Sequence, residues 1–258
     1  MRMHAAGYIA LIAVFSLGLV CLTQAAFSAG ASPDSAIRAA ARQNRYIFIT
    51  FYKPNDDASE RMLASVQTIR GRLAGRADFV SVDMSNAANR SVITRFDANR
   101  SPIPLTVVVA PNGAVTAGYP RSIDANGDFS RVFVSHGQAD VLKALQAGKI
   151  AVVCVQNGST RYNHECAANA DALKADPRIG NAVVIVRINS ADRTEAGFLR
   201  QNNITTGSGE AQLVVFAPPG RIVGTFAGNA PQATVVANVQ RSLGGGCCNG
   251  HCGPNGCH

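Results

Sequence analysis

The stretch Ser101-Pro102-Ile103-Pro104-Leu105-Thr106-Val107-Val108-Val109-Ala110-Pro111-Asn112-Gly113 carries a dense set of folding signals. Two prolines punctuate a loop, Leu105 to Ala110 reads as a strand, and Pro111-Asn112-Gly113 turns the chain back toward a strand from Ala114 to Gly118. The pattern returns at an offset of 107 residues: a strand over Gln212 to Ala217, the turn Pro218-Pro219-Gly220, then a strand over Ile222 to Ala227. Val-Ala-Pro-Asn-Gly ending at Gly113 and Phe-Ala-Pro-Pro-Gly ending at Gly220 are two copies of one hairpin.

Working outward, the first copy is preceded by a strand Tyr46 to Tyr52, a helix of about Ala58 to Leu73 with Met62, Val66 and Ile69 on one face, a strand Phe79 to Asp83 and a short helix Asn89 to Phe96. Asp57 and Glu60 read as a capping box at the start of the longer helix. A helix Gln138 to Ala147 follows the hairpin. The second copy runs in the same order: strand Ile150 to Val155, helix Asn163 to Lys174, strand Ala182 to Asn189, helix Asp192 to Gln201, the hairpin, and a helix Gln232 to Leu243. A βαβ start makes parallel strands and the hairpin makes antiparallel ones, so each copy predicts a mixed sheet with helices on both faces.

The Phe51-Tyr52 strand end, the loop and helix start that follow it, and Ile103-Pro104 before the hairpin resemble the thioredoxin family. The resemblance implies an α/β fold of two thioredoxin-like domains in tandem, a cis Pro104 facing the site, and a Cys-x-x-Cys position at the helix start. Here that position reads Asp56-Asp57-Ala58-Ser59, with Asp56 and Ser59 where the family keeps its two thiols, and no cysteine occurs between Cys21 and Cys154. Dithiol exchange needs a thiolate at the helix N-terminus and a resolving thiol one turn on. The pair Asp56-Asp57 reads as a helix cap rather than as general acid and base. Thr50 stands where the family has a buried acid. In the second copy Ala211 falls at the cis-proline position, Cys166 near the resolving-cysteine position and Asn163 at the nucleophile's. Cys154 and Cys166 are expected to form a structural disulfide, with a redox-active pair aided by His164 as the alternative.

The 258-residue chain carries 24 Lys+Arg against 16 Asp+Glu, a formal charge of +8, with 47% hydrophobic residues and no Trp. Disorder throughout is excluded. The arginines are scattered, and the tightest group, Arg70, Arg72 and Arg76, has no aromatic residue interleaved, so no nucleic-acid partner is expected. Arg2 and His4, the apolar Tyr8 to Leu22 and small residues through Ala31 have the layout of a secretory signal, with an uncleaved membrane anchor as the alternative. The expected organisation is a signal over 1–31, thioredoxin-like domains over 32–148 and 149–243, and a Gly linker with a Cys/His tail over 244–258, in a periplasmic or secreted protein whose partners are a protein or peptide and a soft metal ion.

The tail places Cys247, Cys248, His251, Cys252, Cys257 and His258 within twelve residues after three glycines. Thiolate and imidazole donors at that density suit Zn²⁺ or Cu⁺, and a disulfide knot is the alternative. Asp124, Asn126 and Asp128 resemble a calcium-loop opening without its bidentate Glu and read as an acidic loop. No haem-attachment motif, flavin signature or phosphate-binding Gly-Lys-Ser/Thr loop is present. Three functions follow: a non-catalytic interaction protein with a metal-binding tail, a thiol–disulfide oxidoreductase or isomerase using Cys154/Cys166 or the tail thiols, and a structural scaffold with an oxidised tail.

Overall fold

The computed structural model describes residues 32–205 and 209–244. The expected signal, with Cys21, and the tail from 245 onward lie outside the described residues. Two four-stranded mixed sheets form the framework. The first comprises β1 (Tyr46–Tyr52), β2 (Ala77–Asp83), β3 (Leu105–Val109) and β4 (Val115–Pro120) in the order β2-β1-β3-β4. β1 is parallel to β2 and antiparallel to β3, and β3 is antiparallel to β4. The second sheet repeats this with β5 (Ile150–Gln156), β6 (Val183–Asn189), β7 (Gln212–Ala217) and β8 (Arg221–Ala227) in the order β6-β5-β7-β8. Helices cover both faces of each sheet. The architecture is α/β, with two thioredoxin-like domains.

The central strands are buried on both faces, which is why they read as continuous apolar runs rather than alternations. In the first sheet Ile47, Ile49 and Phe51 pack on Ile37 and Ala40 of α1 (Pro33–Arg42) and Val92 of α3 (Arg90–Arg95). Phe48 faces the other way, onto Met62, Val66 and Ile69 of α2 (Asp57–Arg72). Helix α1 has no counterpart among the expected elements. Its signals are short: Ser32 caps it, Pro33 occupies its first turn, and only Ile37 and Ala40 are fully buried.

Helix α4 (His136–Gln146) ends the first copy in sequence but not in packing. Val141 and Ala144 lie in one apolar cluster with Ala151, Val153 and Val155 of β5 and with Phe198 and Leu199 of α6 (Ala196–Gln201). They repeat Ile37 and Ala40 of α1 at an offset of 104, so α4 opens the second unit as α1 opens the first. The opposite side of α4 keeps contact with the first hairpin, where Ala139 packs with Ala110 and Ala114 and Gln146 exchanges hydrogen bonds with both backbone groups of Val115. The second sheet's other face is covered by α5 (Asn163–Ala175) and α7 (Gln232–Gly244).

Because α4 serves the second sheet, residues 121–135 close the first one. Ile123, Phe129 and Val132 fill the face beside α2, where the second unit has α7. This segment supplies aromatic partners for Arg72 and Arg76, and β2 supplies Phe79 for Arg70. The three guanidiniums lie 5.6 Å, 5.9 Å and 4.4 Å from the rings of Phe79, Phe129 and Phe133. The basic group is a set of cation–π contacts on the domain's own surface.

The N-terminus of α4 is held from the second unit. The Glu195 carboxylate, 4% exposed, accepts from Ser135 Oγ at 2.6 Å and from the Gly137 amide at 2.8 Å. A Cβ on Gly137 would lie 2.7 Å from Ile188 Cγ1, and Ile188 is itself buried. Gly137→Ala is therefore expected to destabilise the protein by about 1–3 kcal/mol through overpacking, and Glu195→Ala by about 1–3 kcal/mol through the unpaired buried amide. Urea unfolding midpoints equal to that of the unsubstituted protein would place the α4 terminus elsewhere.

Candidate functional site

In the first domain the C-terminal end of β1 feeds a short loop into α2. Asp56, rather than Asp57, is the N-cap, and its Oδ2 accepts from the Ser59 amide at 2.8 Å. The Ser59 hydroxyl and amide beside it hold the Asp56 carboxyl below its ordinary range. The Ser59 hydroxyl is buried and accepts from the Lys53 amide at 3.0 Å, closing the loop on itself. Asp56 and Ser59 thus work as a cap and a loop clasp. Beneath them, Thr50 and Thr106 face each other across β1 and β3 with their hydroxyls 3.0 Å apart, both fully buried. The Ile103–Pro104 peptide is cis and Pro104 is buried. The backbone N–H and C=O of Ile103 pair with no group among the described residues, while its half-buried side chain packs with Met84 and Phe96 around Phe51.

The second domain is built differently at the same place. The strand ladders set Phe51 opposite Leu105 and Val155 opposite Gln212, so Pro104 corresponds to Ala211. Ala211 has the N–H that a proline lacks, and it donates to the Arg161 carbonyl at 2.9 Å, while the Arg161 amide donates to Gly209. The Arg161 guanidinium also meets the Glu210 carboxylate at 2.6 Å. The edge left open at Ile103 is occupied here by the chain's own loop.

The cysteines need two corrections. Burial along the helices matches Met62, Val66 and Ile69 with Cys166, Ala170 and Leu173, an offset of 104. The loop bonds agree: Lys53 with Ser59 corresponds to Asn157 with Asn163, and the Asn157 amide donates to Thr160 Oγ1. Thr160 and Asn163 therefore take the two Cys-x-x-Cys positions, and Cys166 sits in the core one turn deeper than the sequence placed it. Cys154 matches Thr50 on the central strand. Secondly, the expected disulfide is not formed: both residues are free thiols with no exposed surface, and the Cys154 thiol is directed at the Cys166 carbonyl 3.8 Å away. The hydrogen bond with Cys154, together with burial, pushes the Cys166 thiol up. His164 is exposed on the helix surface.

Among the described residues no three His, Cys, Asp or Glu side chains converge as a metal site, and no helix is long and apolar enough to cross a membrane. The tail ligands Cys247, Cys248, His251, Cys252, Cys257 and His258 lie outside the described residues.

No family model and no curated protein matches the chain. Among solved structures it is similar to a disulphide isomerase from Xylella fastidiosa Temecula1, at 21% identity over 33% of this chain and 68% of that one with a TM-score of 0.29. It is also similar to Trxlp from Edwardsiella tarda EIB202, at 17% identity over 39% and 91% with a TM-score of 0.32. A third is the zinc-bound form of human ERp44, at 12% identity over 82% and 60% with a TM-score of 0.34. The chemistry of the site rests on its own residues.

Two outcomes test this geometry. Peptide-resolved alkylation of the native protein is expected to leave Cys154 and Cys166 unmodified and to label both in strong denaturant; rapid native labelling would place them at the surface. Asp56→Ala should lower the thermal midpoint at neutral pH and Asp56→Asn should not. The folded carboxyl is depressed, so its contribution is complete above the ordinary carboxylate range and lost as pH falls through the folded value. The gap between Asp56→Ala and the unsubstituted protein should close in acid.

Proposed function

We propose that this chain is an exported, non-catalytic tandem thioredoxin-like protein that engages an extended peptide or protein segment at the first domain and holds Zn²⁺ or Cu⁺ in its C-terminal Cys/His tail. One observation carries the first part. The helix start that would have to supply a thiolate instead supplies Asp56 and Ser59, both committed to closing the α2 loop. The open Ile103 peptide group next to half-buried Met84 and Phe96 supports a role in pairing with an extended segment. The donor set of the tail supports the metal: six soft or borderline ligands after a glycine spacer, in a chain whose amino end reads as an export signal. Export would deliver the tail to an oxidising compartment, where metal loading protects thiols that would otherwise pair.

A second reading is thiol–disulfide exchange, and the placing of Cys154 and Cys166 side by side in one core favours it. Their burial opposes it, since a substrate disulfide must reach the attacking sulfur. Metal analysis and an insulin-reduction assay separate the two. The expected result is stoichiometric Zn²⁺ or Cu⁺ after reconstitution, lost on deletion of residues 247–258, with no reductase activity. Activity abolished by Cys166→Ser would establish the second reading, and a metal content unaffected by the deletion would remove the tail from the first.

A further inference from the structure

The end of the first domain remote from Asp56 and Pro104 carries a cavity of about 140 Å³ that the proposed function does not use. Ile37, Ile47 and Val109, core residues at most 4% exposed, lie at its floor, the turn Pro111-Asn112-Gly113 closes one side, and Arg38, Arg45 and Arg95 stand around it. The three guanidiniums come from separate places: Arg38 from α1, Arg45 from the loop entering β1, Arg95 from the end of α3. No acidic side chain lines the cavity. Arg45 is committed to Asp78 at 2.8 Å and to the carbonyls of Gly75 and Ala77. Arg38 and Arg95 have no carboxylate within ion-pair distance among the described residues. Both side chains are exposed, and Arg95 lies 5.2 Å over the Phe96 ring, so each guanidinium keeps donors available to an anion at the cavity mouth.

The duplication inside the chain says which part of this arrangement the fold requires. Helices α1 and α4 and strands β1 and β5 superpose at an offset of 104, with Arg45 and Lys149 each donating their amide to the equivalent carbonyl, Ala40 and Ala144. Arg38 then corresponds to Leu142, and Arg95, the last residue of α3, to Gln201, the last of α6. The second copy thus builds the same helix pair, with Pro218-Pro219-Gly220 in place of Pro111-Asn112-Gly113, and has one aliphatic and one amide side chain where the first has Arg38 and Arg95. The guanidiniums are a property of the first copy, not of the fold.

We infer that this cavity binds a compact organic anion, a carboxylate or phosphate head held by Arg38 and Arg95 on an apolar body set against Ile37, Ile47 and Val109. The space is open on one side and of the size of about one aromatic ring. Guanidinium forks suit either head group.

Benzoate and phenyl phosphate, titrated into the isotopically labelled full chain and followed by amide NMR, test the assignment and distinguish the two heads. Saturable shifts at Ile37, Ile47, Asn112 and Gly113 are expected for at least one of them. Affinity should fall tenfold or more in the double variant Arg38→Ala/Arg95→Ala and in Arg95→Gln, which copies the second unit, with Arg193→Ala unchanged. Three results overturn it: no saturable shift at these amides, an equal loss in Arg193→Ala, or inorganic phosphate binding as tightly as the organic probes, which would leave the apolar lining without a role. Retention of the remaining amide spectrum in each variant separates loss of the site from loss of the fold.

Discussion

A carboxylate contributed by the second half of the chain, Glu195, holds the first turn of the helix that closes the first half. Much of the organisation depends on that contact. With its N-terminus fixed by Ser135 and Gly137, α4 is rolled so that Val141 and Ala144 meet the second sheet while Ala139 meets the first hairpin. Glu195 has no surface to spare for water, and its two short hydrogen bonds compensate its burial. The first sheet, deprived of a C-terminal helix, is sealed instead by the aromatic segment 121–135, with Arg72 and Arg76 over its Phe129 and Phe133 rings.

The fold was legible where its signals are local. Apolar runs such as Tyr46–Tyr52, the Pro/Gly hairpins and the repeated order of elements each depend on residues close together, and all correspond to elements of the structure. The partner of α4 was not legible, because an amphipathic helix between two sheets carries apolar residues suited to either. Helix α1 was missed because ten residues with two buried side chains give a weak periodicity. The offset between the copies also drifts, from 104 at the first strands to 107 at the hairpins. Aligning the α5 start by the hairpin offset moved Cys166 to the helix rim, whereas the buried face of the helix sets it in the core.

The candidate site divides in the same way. The lack of thiols at the α2 start is plain from residue identity alone. What the residues there do instead, Asp56 capping and Ser59 clasping Lys53, depends on hydrogen bonds that no spacing specifies. The contrast between the two domains at Pro104 and Ala211 follows from one atom: where an N–H exists the neighbouring loop pairs with it, and where proline removes it the edge stays free. The arginines around the first domain's cavity could not be grouped from sequence, since they are 50 and more residues apart at the extremes and converge only through the packing of α1 against α3.

The Thr50–Thr106 pair has a wider meaning for the first domain. Hydroxyls neither gain nor lose a charge across the range in which proteins work, and one of these two donates to the other. The core under the α2 helix start is therefore proton-silent. It can offer no base to a nucleophile above it and draws no buried charge into balance as conditions change, so this layer of the core should stay unchanged while the Asp56 cap above it titrates, as suits a docking edge more than a reaction centre.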